Sequence, residues 1–214
     1  GLYTETLGNH GVEIFAERAA VAGPNAVRLA SGRTVTADKL LIATGARPGM
    51  PDIPGIEHAI TSNEVFHLHR LPERIVIAGG GYIANEFAGI FHQFGSHVTL
   101  VNRSDVLLRG YDQQIVDRLL QISIRKGVEF VFNATFEKIE KTSGGGLILT
   151  MQGCDDIEAD AVLFAIGRQP DTADLGLEDA GVALGERGSI EVDEDNRSSV
   201  ESIFAVGDVT DRVQ

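Results

Sequence analysis

Glycines at 79, 80 and 81, an alanine at 84, and arginines at 103 and 109 are the residues whose types and spacing could do chemistry. Gly79-Gly80-Gly81-Tyr82-Ile83-Ala84 fits the pattern G-x-G-x-x-G/A. In such a run Gly79 permits a sharp turn, Gly81 lets the backbone approach a pyrophosphate, and Ala84 keeps a helix tight against a strand. A helix beginning there points unpaired N–H groups and its positive dipole end at the phosphates. The residue at the end of the next strand then decides which dinucleotide binds. NAD sites place an acid there, about 20 residues on, to hold the ribose hydroxyls. This chain has Asn102 followed by Arg103, with Arg109 six residues later. Two guanidiniums and no acid fit a 2′-phosphate, hence NADPH over NADH, with charge-assisted bonds of roughly 1.5–3 kcal/mol each. The bland alternatives are a strand-to-helix turn without a ligand and a pair of solvated surface arginines.

The elements that must position these residues follow from periodicity. Residues 74–78 form an apolar strand ahead of the glycines. Ile83, Phe87, Ile90, Phe91 and Phe94 recur at helical spacing until Gly95 ends the helix. Residues 98–101 are a strand, a second helix runs from Asp112 as N-cap to Lys126 with Gly127 as terminator, and residues 128–132 are a third strand. This completes a β-α-β-α-β unit, and it makes the glycine run a strong signal where an isolated one is weak. A meander follows, broken at Ser143-Gly144-Gly145-Gly146 and near Gly153, and then a buried strand over 161–166. Ahead of the unit, residues 12–21, 26–29 and 34–36 read as short strands, and residues 39–43 as a fully buried one. Residues 48–55, rich in proline and glycine, read as a linker. A strand ending in glycine recurs at Gly45, Gly167 and Gly207, the ligand-facing edge of an α/β fold.

Composition narrows the field further. A net charge of −13 over 214 residues argues against nucleic acid or an anionic membrane as partner. No stretch approaches the ~20 apolar residues of a membrane span, the first ten residues are no signal peptide, and the expected compartment is the cytoplasm. The single cysteine, Cys154, can form neither an intrachain disulfide nor a redox dithiol; flanking Asp155 and Asp156 discourage its thiolate. The six histidines form no metal-binding or catalytic pattern, and no metal site is expected.

The order of these motifs resembles the flavin- and nicotinamide-dependent disulfide reductases, and among them the glutathione reductases. The match is carried by Ala43-Thr44-Gly45, the run from Gly79 to Glu86, Arg103 through Arg109-Gly110-Tyr111-Asp112, Gly167-Arg168-Gln169-Pro170, and Ile203-Phe204-Ala205-Val206-Gly207-Asp208. The resemblance implies an α/β protein in which a Rossmann-like NADPH-binding domain, residues 46–170, is inserted between partial pieces of an FAD-binding domain, residues 1–45 and 171–214. NADPH would contact Gly79, Gly80, Gly81, Ile83, Ala84 and Gly167, with its 2′-phosphate on Arg103 and Arg109. Tyr82 would cover the flavin and move when nicotinamide enters, and Glu86 would face the nicotinamide–flavin junction. On the FAD side would lie Ala19, Thr44, Gly45, Arg168, Gly207 and Asp208. Each has a plainer reading: Tyr82 as a packing residue, Glu86 as a helix-dipole partner in the first turn, Asp208 as a turn former. Asn85 and Ser104 depart from the family, Asn85 bringing a polar group into a normally apolar contact. The resemblance further implies an internal portion of a homodimeric enzyme, without the opening FAD segment, the CxxxxC dithiol and the dimerisation domain. The expected substrate is a small-molecule disulfide, glutathione disulfide first. Trypanothione, mercuric ion or transhydrogenase chemistry, and a non-catalytic NADPH-binding module, stay open.

Overall fold

The computed structural model describes residues 1–212. In chain order the elements are α1 (Leu2–Asn9), β1 (Ala19–Gly23), β2 (Ala26–Leu29), β3 (Thr34–Thr36), β4 (Leu40–Ile42), β5 (Ala46–Pro48), α2 (Ser62–Val65), β6 (Arg74–Ala78), α3 (Tyr82–Gln93), β7 (His97–Asn102), α4 (Gln113–Lys126), β8 (Glu129–Phe132), β9 (Thr135–Lys141), β10 (Leu147–Gln152), β11 (Ile157–Ala159), β12 (Ala161–Phe164), β13 (Arg168–Pro170) and β14 (Ile203–Ala205). Two compact units emerge: Pro48–Arg168, and Gly1–Arg47 together with Gln169–Gln214.

The first of these units is built on a parallel sheet in the order β12-β6-β7-β8. Its strands are apolar on both faces because both faces are covered. Ile75 and Ile77 point to one side, where they pack with Ala84, Phe87 and Phe91 of α3 and Val116 of α4. Val76 and Ala78 point to the other, against Leu147, Leu149 and Met151 of β10. That second face is closed by an antiparallel meander, β9-β10-β11. One period-two strand thus feeds two cores, and Ile77 is 0% exposed. Helix α4 starts where Asp112 accepts the N–H groups of Gln114 and Ile115 at 2.9 and 3.3 Å. It stops at Gly127, whose φ of 104° only glycine adopts freely.

Residues 48–55 depart from the linker expectation. The Pro54 carbonyl accepts the Ile139 N–H at 2.9 Å, and Ile53 and Ile56 pack on the meander core. Gly55 (φ 82°) sits so close to the Ile139 carbonyl that a Cβ would collide with it. The segment is docked, with glycine and proline serving its tight path. Helix α3 carries the apolar residues expected at helical spacing, of which Phe87 and Phe91 are buried and Ile90 and Phe94 exposed, because the helix's apolar stripe is wider than its contact with the sheet. They line a groove of about 420 Å³ with Val65, Phe66 and Leu71, at the opposite end of α3 from the glycines.

In the second unit β1, β2 and β3 form an antiparallel sheet, and β4 pairs in parallel with β14. Residues 12–18 are not strand, since β1 begins at Ala19 opposite the end of β2. Strand β4 is not fully buried either. Its one hydrogen-bonded neighbour among the described residues is β14, and Leu41 is 64% exposed. A core of Ile42, Leu175, Leu177, Ile190 and Ile203 holds this unit.

Candidate dinucleotide site

The three glycines are required for three different reasons. Gly79 lies at φ 129°, and a Cβ there would strike the Ala165 carbonyl of the strand alongside. At Gly80 a Cβ would come within 2.8 Å of the Asn102 side-chain amide. At Gly81 nothing lies within 4 Å, so its bare backbone faces open space. Two glycines therefore serve the fold and the third leaves room for a ligand.

Gly81 is also the N-cap of α3. It offers no side-chain acceptor to the first-turn N–H groups, and no acid lies in that turn. Four helix-end donors with no internal partner and the positive end of the dipole make this a place for an anion. Tyr82, the first helical residue, is half-exposed. Glu86 is exposed and lies in the second turn, not the first, which removes the dipole-partner explanation for it.

The loop after β7 carries both arginines and is bonded to the turn. The Leu108 N–H donates to the Gly80 carbonyl at 2.8 Å. Leu107 is buried in the α3 core, and Leu108 takes the left-handed conformation at φ 45°. Arg103 and Arg109 project from this loop into solvent, and no ion pair among the described residues engages either. In a chain of net charge −13, two arginines on a loop bonded to the turn at a bare helix N-terminus are a local concentration of positive charge that can attract an anion.

Two asparagines complete the arrangement. Asn85 Nδ2 donates back to the carbonyls of Gly81 and Gly80 at 2.8 and 3.3 Å, so its polar side chain is spent on the turn itself. Asn102 Nδ2 donates to the carbonyls of Ser104 and Val106 at 3.0 and 2.9 Å. Neither role was visible in residue spacing. The one available signal was the asparagine itself at a strand end, since its short amide bonds readily to backbone groups a few residues on.

Gly167 (φ 124°) ends the strand edge beyond β12, with open space where a Cβ would be, and its carbonyl accepts the Gly49 N–H at 2.8 Å. Arg168 opens β13. These belong to the unit of Pro48–Arg168. Ala19, Thr44, Gly45, Gly207 and Asp208 belong to the other. There Ala19 opens β1, the Thr44 hydroxyl donates to the Asp171 carbonyl at 2.8 Å, and Asp171 N–H donates to Gly45 at 2.9 Å. Gly45 and Gly207 are left-handed at φ 71° and 77°, both open to solvent where a Cβ would stand, and Asp208 follows in a short 3-10 turn.

A family model described as pyridine nucleotide-disulphide oxidoreductase matches residues 2–214. The chain belongs to that family. As a member of the pyridine nucleotide-disulphide oxidoreductases it is 44% identical to a glutathione reductase of Burkholderia cepacia, over 100% of this chain and 47% of the relative. It is 38% identical to a trypanothione reductase of Trypanosoma congolense, over 95% of this chain and 44% of the relative. Among solved structures it resembles the HOCl-induced flavoprotein disulfide reductase RclA from Escherichia coli, with a TM-score of 0.92 and 32% identity, over 100% of this chain and 50% of that one. The chain spans about half the length of these relatives.

Proposed function

We propose that this chain is the NADPH-binding portion of a flavin-dependent disulfide reductase whose acceptor is a small-molecule disulfide, glutathione disulfide before trypanothione. The observation that carries the reading is the arginine loop, hydrogen-bonded to the glycine turn at the uncapped start of α3. The open face of Gly81 admits a pyrophosphate, the first-turn N–H groups hold it, and Arg103 and Arg109 supply the positive charge a 2′-phosphate needs. The open faces at Gly45 and Gly207 suit a second dinucleotide, FAD, which would lie near Ala19, Thr44 and Asp208 of the same unit. When bound, NADPH would supply hydride and FAD would supply the carrier chemistry between it and a dithiol that reduces the disulfide. With Cys154 as its sole cysteine, this chain contributes no dithiol of its own. Glutathione is favoured over trypanothione by the higher identity to the glutathione reductase of Burkholderia cepacia.

Titration of the chain with NADPH and NADH tests the reading. Arg103→Ala should weaken NADPH binding by about ten-fold or more, as expected for one charge-assisted bond, and leave NADH within about two-fold. Equal losses for both dinucleotides, or a wild-type chain that does not distinguish them, would sink it.

A further inference from the structure

Asn102 ends β7 with 7% of its surface exposed, and its backbone is held by the ladder to Phe132. Its side-chain amide faces three oxygens: the Ser104 carbonyl at 3.0 Å, the Ser104 hydroxyl at 3.3 Å and the Val106 carbonyl at 2.9 Å. The two carbonyls can only accept, so the nitrogen is assigned to this side of the amide by its surroundings. The same amide lies over Gly80, where a Cβ would crowd it. Asn102 therefore packs on the glycine turn and curls the following loop around itself. One end of that loop is Arg103. The other reaches Arg109 through Leu108, which is bonded to Gly80.

We propose that Asn102 is a positioning residue for 2′-phosphate selectivity, acting through the shape of the arginine loop and not by touching the ribose. This rests on the NADPH reading above and deepens it. The position is where NAD-binding folds carry an acid that reads the ribose hydroxyls. If the residue's role were only to avoid repelling a phosphate, Asn102→Asp would convert the site toward NADH. The geometry forbids that outcome. A carboxylate at 102 can accept from the Ser104 hydroxyl, but it presents an acceptor to the Ser104 and Val106 carbonyls in a part-buried place, and the loop must open to relieve those two. Both arginines then lose their placement, and no ordered carboxylate is left to read a ribose.

The test uses the full chain with Asn102→Asp and the near-isosteric Asn102→Leu, titrated with NADPH, NADH and 2′,5′-ADP. Both variants should lose ten-fold or more in affinity for NADPH and 2′,5′-ADP, with NADH unchanged within three-fold. A gain of NADH affinity in Asn102→Asp, or undiminished NADPH affinity in Asn102→Leu, overturns the proposal while leaving the NADPH reading intact. A wild-type chain with no preference for NADPH overturns both. A double-mutant comparison guards against a merely destabilised variant: in an Arg103→Ala, Arg109→Ala background, Asn102→Leu should cost no further NADPH affinity. A full additional loss there refutes action through the arginines. Limited trypsinolysis without ligand gives a second readout. Cleavage after Arg103 and Arg109 should accelerate in both variants ahead of cleavage elsewhere, and an unchanged pattern counts against the proposal.

Discussion

Gly79 and Gly81 stand two residues apart in one motif, yet the surroundings give them separable jobs. A side chain at Gly79 meets both a φ of 129° and the Ala165 carbonyl. Gly79→Ala should therefore cost about 2–4 kcal/mol of stability, from backbone strain plus overpacking. A side chain at Gly81 meets nothing in the protein, so Gly81→Ala should change stability by no more than about 0.5 kcal/mol. It should instead weaken dinucleotide binding, because the methyl occupies the space a pyrophosphate needs. Thermal melts and NADPH titration on the two variants separate the effects; a large stability loss at Gly81 would mean that its open face is occupied by the protein itself. Residue identity alone displayed the motif and the two arginines, because these depend on spacing along the chain. It could not show that Gly80 is small for the sake of Asn102, which is a contact across 22 residues. Cys154 shows the same limit in its electrostatics. Its thiol is pushed up first by burial and only then by Asp155 and Asp156, and burial was not visible from its neighbours.

Elements whose signals are local were legible, and elements whose state depends on a distant partner were not. Asp112 and Gly127 bracket α4 by capping chemistry that any sequence window contains. The exposure of Leu41 or Phe94 depends instead on what does or does not cover a strand or a helix face. The meander's attachment to the parallel sheet is likewise non-local. Arg74, at the start of β6, bridges Glu158 of β11 and Asp160 just before β12 at 3.2 and 3.1 Å. Asp160 also accepts the Arg74 backbone N–H at 2.8 Å. These contacts, the Arg74 side chain first, hold the Asp160 carboxyl below its ordinary value of 3.8. A carboxyl depressed in the folded state contributes stability above its unfolded value and loses it as pH falls through the folded one. The melting temperature of Asp160→Asn should therefore lie below that of the wild type at pH 6, and the gap should close as pH drops below 3.8. A gap that is constant from pH 6 to pH 2 would assign the effect to packing.

At the scale of the whole chain, three cores account for every buried hydrophobic side chain among the described residues except Leu29, and each core draws on one unit alone. The two cores on either face of the parallel sheet draw every member from residues 53–165. The third draws only on residues 21–42 and 175–209. The unit Pro48–Arg168 is continuous in sequence and carries the glycine turn, both asparagines and both arginines of the candidate site. Its sheet is covered on both faces from within, which is the condition for a parallel sheet to stand alone. A polypeptide of residues 48–168 should accordingly fold in one cooperative transition and bind 2′,5′-ADP within about three-fold of the affinity of the longer chain, since chains of this size are commonly two-state. The complementary pieces, residues 1–47 and 169–214, are separated in sequence and share one core, so neither should fold without the other. Circular dichroism melts and calorimetric titration of the excised unit decide the matter. A non-cooperative melt, or affinity reduced by ten-fold or more, would show that the nucleotide site depends on residues outside the unit that carries its glycines and arginines.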